Sequence, residues 1–530
     1  MAKQQVLING EWREADATGF FQAWNPKIAK PVGDEYPVSG WSDMDAALDA
    51  AQAAFAKLRR LPREQIAAFL DAFADRIEAR AAEICKQAAI ETALPVEPRL
   101  MSGEMPRTAG QLRQAAAAAR SASWTMPTID TATNIRSCYG AMGPVAVFGP
   151  NNFPLAFGSL SGGDFAAAMA AGNPVIGKAN SMHPATTRML AEEAQAAAEQ
   201  TGMPAGTVQL LYRLSHEDGE RLARDPRLAA IGYTGSRHAG LKLKAAADSV
   251  GKPIYLELSS VNPVFFLPGA IAERGEAIAD EFQTSCLMGT GQFCTNPGLV
   301  VMVESESTAA FVDGLVSRFQ SAGVGTLLSQ SGASGLHAAV EALLDAGAEL
   351  LCGGEPGGGE GFSHQNTLLK VSGSTFLNHP SALQAEAFGN ASLLVIASDA
   401  EQAVELVQTF EGNLTGSIYS ATGGEDDLLY DRIADELRQK VGRLINDKMP
   451  TGVAVCAAMN HGGPYPATGH PGFTAVGLPA AIVRFGMLQC FDNVRAHRLP
   501  DVLKDENPIS FWRRVDGVWT QEAVESVGVA

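Results

Sequence analysis

Two residues stand out for the chemistry they could do, Cys294 and Glu257. The cysteine lies in Gly289-Thr290-Gly291-Gln292-Phe293-Cys294-Thr295-Asn296-Pro297-Gly298, where Gly and Pro on both sides mark tight turns. A thiol held on such a shaped, accessible loop can react. The bland alternative is a small buried apolar residue. That role suits Cys286 better, because it sits in a helical stretch at 281–286. Glu257 closes the apolar run Ile254-Tyr255-Leu256-Glu257-Leu258. A carboxylate inside a buried strand is costly unless it is paired, neutral or functional.

Two glycine-bearing segments offer binding chemistry. Gly172-Asn173-Pro174-Val175-Ile176-Gly177-Lys178 imitates the start of a P-loop. However, Ala179 stands where a Mg²⁺-binding Ser or Thr belongs, and the interior is an apolar strand. Triphosphate hydrolysis is therefore not expected, although Lys178 at a strand's carboxyl end is well placed to meet an anionic or hydroxyl-bearing ligand. Gly232-Tyr233-Thr234-Gly235-Ser236 follows a strand and opens a helix. Its backbone N–H groups could hold phosphate, and a plain tight turn fits equally well.

These residues need a scaffold, and the pattern supplies one. Residues 43–122 are Ala-rich with helical spacing, which predicts two or three helices. From 143 onward short apolar runs alternate with helical stretches. Strands are expected at 143–148, 174–178, 207–212, 229–233 and 254–258, with a helix at 159–171 and another opened by His183-Pro184. A second such series runs from about 260 to 445, with strands at 263–267, 299–303 and 392–396. This is an α/β pattern, a doubly wound Rossmann-like sheet followed by a second α/β unit. Ligands bind such sheets beyond the carboxyl ends of the strands. Gly353-Gly354-Glu355-Pro356-Gly357-Gly358-Gly359 is expected as a surface loop, and the tail from 490 shows no helical period. No repeat or low-complexity linker interrupts the chain.

Composition sets the outer limits. The chain has 530 residues, 46% of them hydrophobic and 18% charged, which suits about two to four globular domains. Its formal charge of −18, without any Lys/Arg block, argues against nucleic acid or an anionic membrane as partner. Seven cysteines include no CxxC pair, so neither a zinc ribbon nor a dithiol motif is expected, nor any other metal site. The pattern reads as free thiols in a reducing compartment. With no signal peptide or long apolar run, a cytoplasmic protein is expected.

The order and spacing of several pieces resemble the aldehyde dehydrogenase superfamily along almost the whole chain. They are Pro150-Asn151-Asn152-Phe153-Pro154, Lys178, Gly232-Tyr233-Thr234-Gly235-Ser236, Leu256-Glu257-Leu258-Ser259-Ser260, Gly291-Gln292-Phe293-Cys294 and Glu386-Ala387-Phe388-Gly389. The wording around Cys294, with Asp505-Glu506-Asn507-Pro508, is most similar to the bacterial α-ketoglutaric semialdehyde (2,5-dioxopentanoate) dehydrogenase branch. NADP-linked fatty aldehyde dehydrogenases are close to it.

The resemblance implies that Cys294 attacks an aldehyde carbon. Asn152 and the Cys294 N–H would stabilise the oxyanion, and Glu257 would activate water against the resulting thioester. Lys178 and Glu386 would hold ribose hydroxyls, Gly232 and Ser236 the pyrophosphate turn, and Phe388 would pack near the nicotinamide. It also implies an NAD(P)-binding domain over 1–125 and 143–259 and a catalytic domain over 260–457. A small β oligomerisation element with the tail, 126–142 and 490–530, would build a homodimer or homotetramer.

The departures carry information too. Many relatives place a Glu where Ser181 stands in Lys178-Ala179-Asn180-Ser181, and that Glu repels a 2′-phosphate. Its absence, with Arg213 after the next strand, leads us to expect NADP as the cofactor, with NAD possible; Arg213 could equally be a solvated loop charge. Ser259-Ser260 replaces the usual Gly-Gly, and Asn151 a common Trp. The expected reaction is NAD(P)-dependent oxidation of an aldehyde, α-ketoglutaric semialdehyde to 2-oxoglutarate. A medium- or long-chain fatty aldehyde is the alternative substrate, and a non-catalytic binding protein the alternative class. Transfer to coenzyme A is disfavoured because it needs no hydrolytic base at 257. Arg107 or Arg113 could meet a substrate carboxylate, and the loop 449–455 is expected at the channel mouth.

Overall fold

The computed structural model describes residues 1–526, so 527–530 of the expected tail lie outside it. At its centre is a seven-stranded sheet whose strand Val145–Phe148 lies between Val175–Lys178 and Ala230–Thr234. From Val145–Phe148 the chain steps outward through Val175–Lys178 to Val208–Leu211. It then returns to the opposite side with Ala230–Thr234 and Ile254–Glu257. All these neighbours pair in parallel. Their side chains form apolar runs rather than an alternation, because helices cover both faces. An antiparallel pair, Val6–Ile8 and Glu11–Arg13, extends the edge beyond Val208–Leu211.

The reversal of direction creates a topological switch between Val145–Phe148 and Ala230–Thr234, the position where ligands bind such sheets. The register pairs Phe148 with Lys178 and with Tyr233, and Thr234 with Glu257. The four strand-end residues Phe148, Lys178, Thr234 and Glu257 therefore lie along the carboxyl edge.

The Ala-rich region forms four helices, Trp41–Leu58, Arg63–Ala79, Ala81–Thr92 and Met105–Ser121, with a wide helical turn over Val96–Glu104. That exceeds the two or three expected. The breaks fall at Pro62 and around Pro95 and Pro98, prolines that interrupt an otherwise continuous Ala-rich period, and at Arg80. The helix expected from 159 begins only at Gly163. The turn before it closes tightly at Gly162, where a Cβ would lie 2.5 Å from the Phe157 backbone.

A second sheet, mostly parallel, has the order Glu349–Cys352, Thr367–Ser372, Ala391–Ala397, Leu299–Val303, Val264–Phe266, Asn413–Tyr419 and Val441–Asn446. Its core packs Phe265, Phe376 and Phe410 on one face and Phe266, Phe282 and Phe319 on the other. A third sheet joins distant parts of the chain. Gly486–Asp492 pairs with Ile135–Ala141, followed by Thr128–Asp130, Arg513–Val515 and Val518–Thr520. Among the described residues, no helix is long and apolar enough to cross a membrane.

Candidate active site

Cys294 follows a short turn, Met288–Gly291, in which Gly289, Thr290 and Gly291 all have positive φ. For Thr290 that conformation is strained. Gly291 is indispensable on steric grounds, since a Cβ there would lie 2.0 Å from the Gly389 carbonyl oxygen. This close approach brings the segment carrying Glu386 and Phe388 against the cysteine loop. From below, the Asn262 amide donates to the carbonyls of Cys294 and Asn296 at 3.0 and 2.9 Å. The thiol of Cys294 is thus half-buried on a braced loop. Cys286 is fully buried, and burial pushes its thiol up to about 12, so it is inert.

Glu257 is buried at the end of its strand. Its backbone bridges to Thr468, and Leu258 N–H donates to the Ala467 carbonyl. Those contacts fold the segment after 460 over the strand end and deliver a residue the sequence reading missed, His461. Its Nε2 is 2.8 Å from Glu257 Oε1 and 3.4 Å from Cys294 Sγ. The imidazole is buried and tilted against Phe157, with ring centroids 5.7 Å apart. Burial works against its charged form, but Glu257 and Cys294 outweigh that and push its pKa up. The second oxygen of Glu257, Oε2, is buried without a hydrogen-bond partner. The only signal for His461 was one histidine beside two glycines, in Asn460-His461-Gly462-Gly463.

Asn152 is buried against the cysteine loop, where its Nδ2 donates to the Gln292 carbonyl at 2.9 Å. One amide N–H is thereby fixed on the cysteine loop while the second stays available. Arg107 enters the same region with its guanidinium over aromatic rings, 5.0 Å from the centre of Phe157 and 5.6 Å from that of Phe153. Its Nε and Nη2 are buried without partners. Burial lowers its pKa, against the pull of Cys294, Glu104 and Glu257. Arg113 lies elsewhere, on the surface, paired with Asp75 and Glu78 at 2.7 and 2.6 Å. On the loop 449–455, Val453 and Val455 pack on the cluster of Phe153, Phe157 and Phe293.

A cleft of about 470 Å³ opens at the switch point, lined by Pro150, Lys178, Ser181, Arg213, Ser236 and Lys242 among others. Lys178 is half-buried, and burial together with Arg213 pushes its amine down to about 8. Among the described residues, no carboxylate forms an ion pair with Lys178 or Arg213; the pairs that do form involve other residues. Ser236 caps the helix Arg237–Asp248 by accepting from Ala239 N–H at 3.4 Å. The first turn of that helix therefore faces the cleft. Gly232 stands inside its strand, where a Cβ would lie 2.5 Å from Asp164; it serves packing beneath the cleft rather than lining it. Glu386 sits beside the cleft, not in its lining, with Oε1 accepting from Ser260 N–H at 3.3 Å. Burial raises it to about 7. Phe388 is half-buried on the same segment. Thr234 lines both this cleft and a small pocket containing Glu257 and His461, so the two chemistries adjoin.

The arrangement suits nucleophilic thiol chemistry beside a nucleotide-sized cleft, and comparison with known proteins agrees. A profile of the aldehyde dehydrogenase family matches residues 12–463. The chain is 37% identical to "Alpha-ketoglutaric semialdehyde dehydrogenase 2" of Azospirillum brasilense, covering 97% of this chain and 98% of that one. It is 36% identical to "Alpha-ketoglutaric semialdehyde dehydrogenase" of Acinetobacter baylyi over the same shares, 97% and 98%. Among solved structures, PnpE from Pseudomonas sp. WBC-3 has the same fold in its complex with nicotinamide adenine dinucleotide. That match has a TM-score of 0.80 at 21% identity, covering 93% of this chain and 99% of that one.

Proposed function

The chain belongs to the aldehyde dehydrogenase family, and from that premise we propose that it oxidises α-ketoglutaric semialdehyde to 2-oxoglutarate, with NADP as the preferred cofactor. The observation that carries the substrate is Arg107, a guanidinium with unpartnered N–H groups beside Cys294. A buried cation of that kind asks for an anion, and the distal carboxylate of a keto-acid semialdehyde supplies one. The two relatives matched over almost their full length bear the name of that reaction.

The cofactor site fits a dinucleotide phosphate on its own terms. Lys178 and Arg213 face the cleft without carboxylate partners, and Lys242 and His238 stand on its helical wall. In a chain of net charge −18, this concentration of positive groups calls for several negative charges. Lys178, Ser181, Arg213 and the amides after Ser236 would hold the cofactor, which accepts the hydride when bound.

The chain's own residues carry the remaining steps. The sulfur of Cys294 gives its proton to solvent and bonds to the aldehyde carbon, while the Nε2–H of the protonated His461 supports the negative charge on sulfur. The free N–H of Asn152 and the Cys294 N–H meet the oxyanion. After hydride leaves the carbon, a thioester remains on Cys294. Glu257, through its unpartnered Oε2, draws a proton from water, and the hydroxide released cleaves the thioester. A hydrolytic base at that position favours water over coenzyme A as acyl acceptor.

The third sheet supports assembly as a homodimer or homotetramer. Its edge strand Gly486–Asp492 leaves Met487 and Leu488 at 50% and 60% exposure, an apolar edge that suits pairing with another copy. A kinetic panel tests the reading. We expect kcat/KM for α-ketoglutaric semialdehyde to exceed that for succinic semialdehyde and hexanal, and NADP to exceed NAD. Preference for hexanal refutes the substrate, and preference for NAD refutes the cofactor.

A further inference from the structure

We propose that Glu257, Cys294 and His461 form a binding site for one Zn²⁺ ion, and that zinc at this site reversibly stops turnover. Their ligand atoms all lie within 4.8 Å of one another, with Sγ and Oε1 at 3.4 and 2.8 Å from the same imidazole nitrogen. Tetrahedral zinc, with bonds of about 2.3 Å to sulfur and 2.0–2.2 Å to nitrogen and oxygen, places its ligands about 3.3–3.6 Å apart. The sulfur and nitrogen already satisfy that spacing. The carboxylate has to swing outward from the imidazole by about half an ångström and settle against the sulfur, from which it now lies within 4.8 Å; its Oε2 is buried without a hydrogen bond to resist the movement.

The donor chemistry selects the metal. A thiolate, an imidazole and one carboxylate, with a fourth position open to water, match Zn²⁺. Magnesium and calcium demand oxygen ligands and are excluded by the sulfur and nitrogen. In the absence of metal, one hydrogen on Nε2 is shared between Sγ and Oε1; the cation takes the place of that hydrogen. Binding involves no redox change. Sγ and Nε2 release their protons to solvent, and bonds from zinc to sulfur, nitrogen and oxygen form. Residues 257, 294 and 461 have no metal-ligand spacing in sequence, which is why composition alone argued against such a site.

Occupation removes the nucleophile and the base together and fills the place of the aldehyde carbonyl, but leaves the dinucleotide cleft open. Inhibition is therefore competitive with aldehyde and not with cofactor. Metal binding stands on the geometry alone; only the loss of turnover rests on the reaction proposed above.

The test uses the full chain carrying Cys456→Ser and Cys490→Ser, which removes the two exposed thiols. Zn²⁺ alone is titrated in competition with a chromophoric chelator, and Co²⁺ reports ligation through a sulfur-to-metal charge-transfer band. We expect one ion per chain and at least tenfold weaker binding in Cys294→Ala, His461→Gln and Glu257→Gln. The cobalt band should be lost in Cys294→Ala and retained, shifted, in Glu257→Gln. Turnover should fall with the same occupancy curve and return on adding EDTA. Unchanged affinity in Cys294→Ala, or in both other variants, overturns the proposal. Zinc bound as described by a chain that oxidises no aldehyde keeps the site and refutes the reaction.

Discussion

The guanidinium of Arg99 donates to the backbone carbonyl of Asn152 at 3.0 Å while its other arm meets Glu104 at 2.6 Å. Glu104 in turn accepts the N–H groups of Leu155 and Ala156 at 2.8 and 2.9 Å. This buried carboxylate thus pins both ends of the turn that carries the oxyanion donor. Breaking such a pair leaves a buried charge alone, which costs about 3–5 kcal/mol.

Glu104 and Arg99 are positioning residues, because they act on the reaction through Asn152. Glu104→Gln keeps an acceptor for the two N–H groups but weakens the hold on Arg99. We expect its kcat to fall about tenfold, one lost charge-assisted hydrogen bond, with KM for cofactor unchanged. Steady-state kinetics with both substrates varied checks this. An equal rise in both KM values would point to general loosening instead.

His461, Glu257 and Cys294 act at different steps, and single-turnover kinetics separates them. Cys294→Ala should abolish turnover and spare cofactor binding. Glu257→Gln should still deliver about one equivalent of reduced cofactor per site in a burst, then stall at the thioester. His461→Gln should slow the burst itself by about 10²–10³, because the sulfur loses the cationic N–H that supports its negative charge. A normal burst in His461→Gln would remove the imidazole from the first step.

The cleft gives a pH dependence with a definite sign. Lys178 is pushed down to about 8 in the unliganded chain, so its positive charge is present below that pH and lost above it. Cofactor binding favours the charged amine. KM for NADP should hold steady below about pH 8 and rise about tenfold per unit above it. Lys178→Met should show a high KM with no such break. Arg213→Ala should weaken NADP at least tenfold and leave NAD nearly unchanged, as expected for loss of a charge-assisted contact to a 2′-phosphate.

Local sequence carried the thiol and the carboxylate, because each owes its position to its own neighbours. Cys294 has flanking turns, and Glu257 ends an apolar strand that pairs in register with Ala230–Thr234. The βα alternation likewise made the doubly wound sheet legible. His461 was not legible, since the segment around it has no period and reaches the site through one isolated bridge between Thr468 and Glu257. The Glu104 clamp was hidden for a similar reason: it spans about fifty positions between helix turn and loop. The helix count failed where the Ala-rich periodicity ran across Arg80, a break marked by no Gly or Pro.

Arg107 and Arg113 show what helix geometry adds to composition. Both lie in the helix Met105–Ser121, but six residues at 3.6 per turn rotate a side chain by about 240°. Arg107 consequently faces the aromatic cluster at the thiol, and Arg113 faces Asp75 and Glu78 on the neighbouring helix. Arg107→Met keeps an unbranched apolar side chain at the position and removes the charged guanidinium that lies over Phe157. We expect its kcat/KM for α-ketoglutaric semialdehyde to fall about 100-fold, the worth of a charged hydrogen bond in a desolvated site. Oxidation of hexanal should be unchanged or improved, since no carboxylate is at stake and an uncompensated charge has gone. Arg113→Met should affect neither aldehyde and should alter stability by less than about 1 kcal/mol, as for other exposed pairs. A uniform loss on both aldehydes in Arg107→Met would assign that residue to holding the loop, and the carboxylate of the substrate would need another partner.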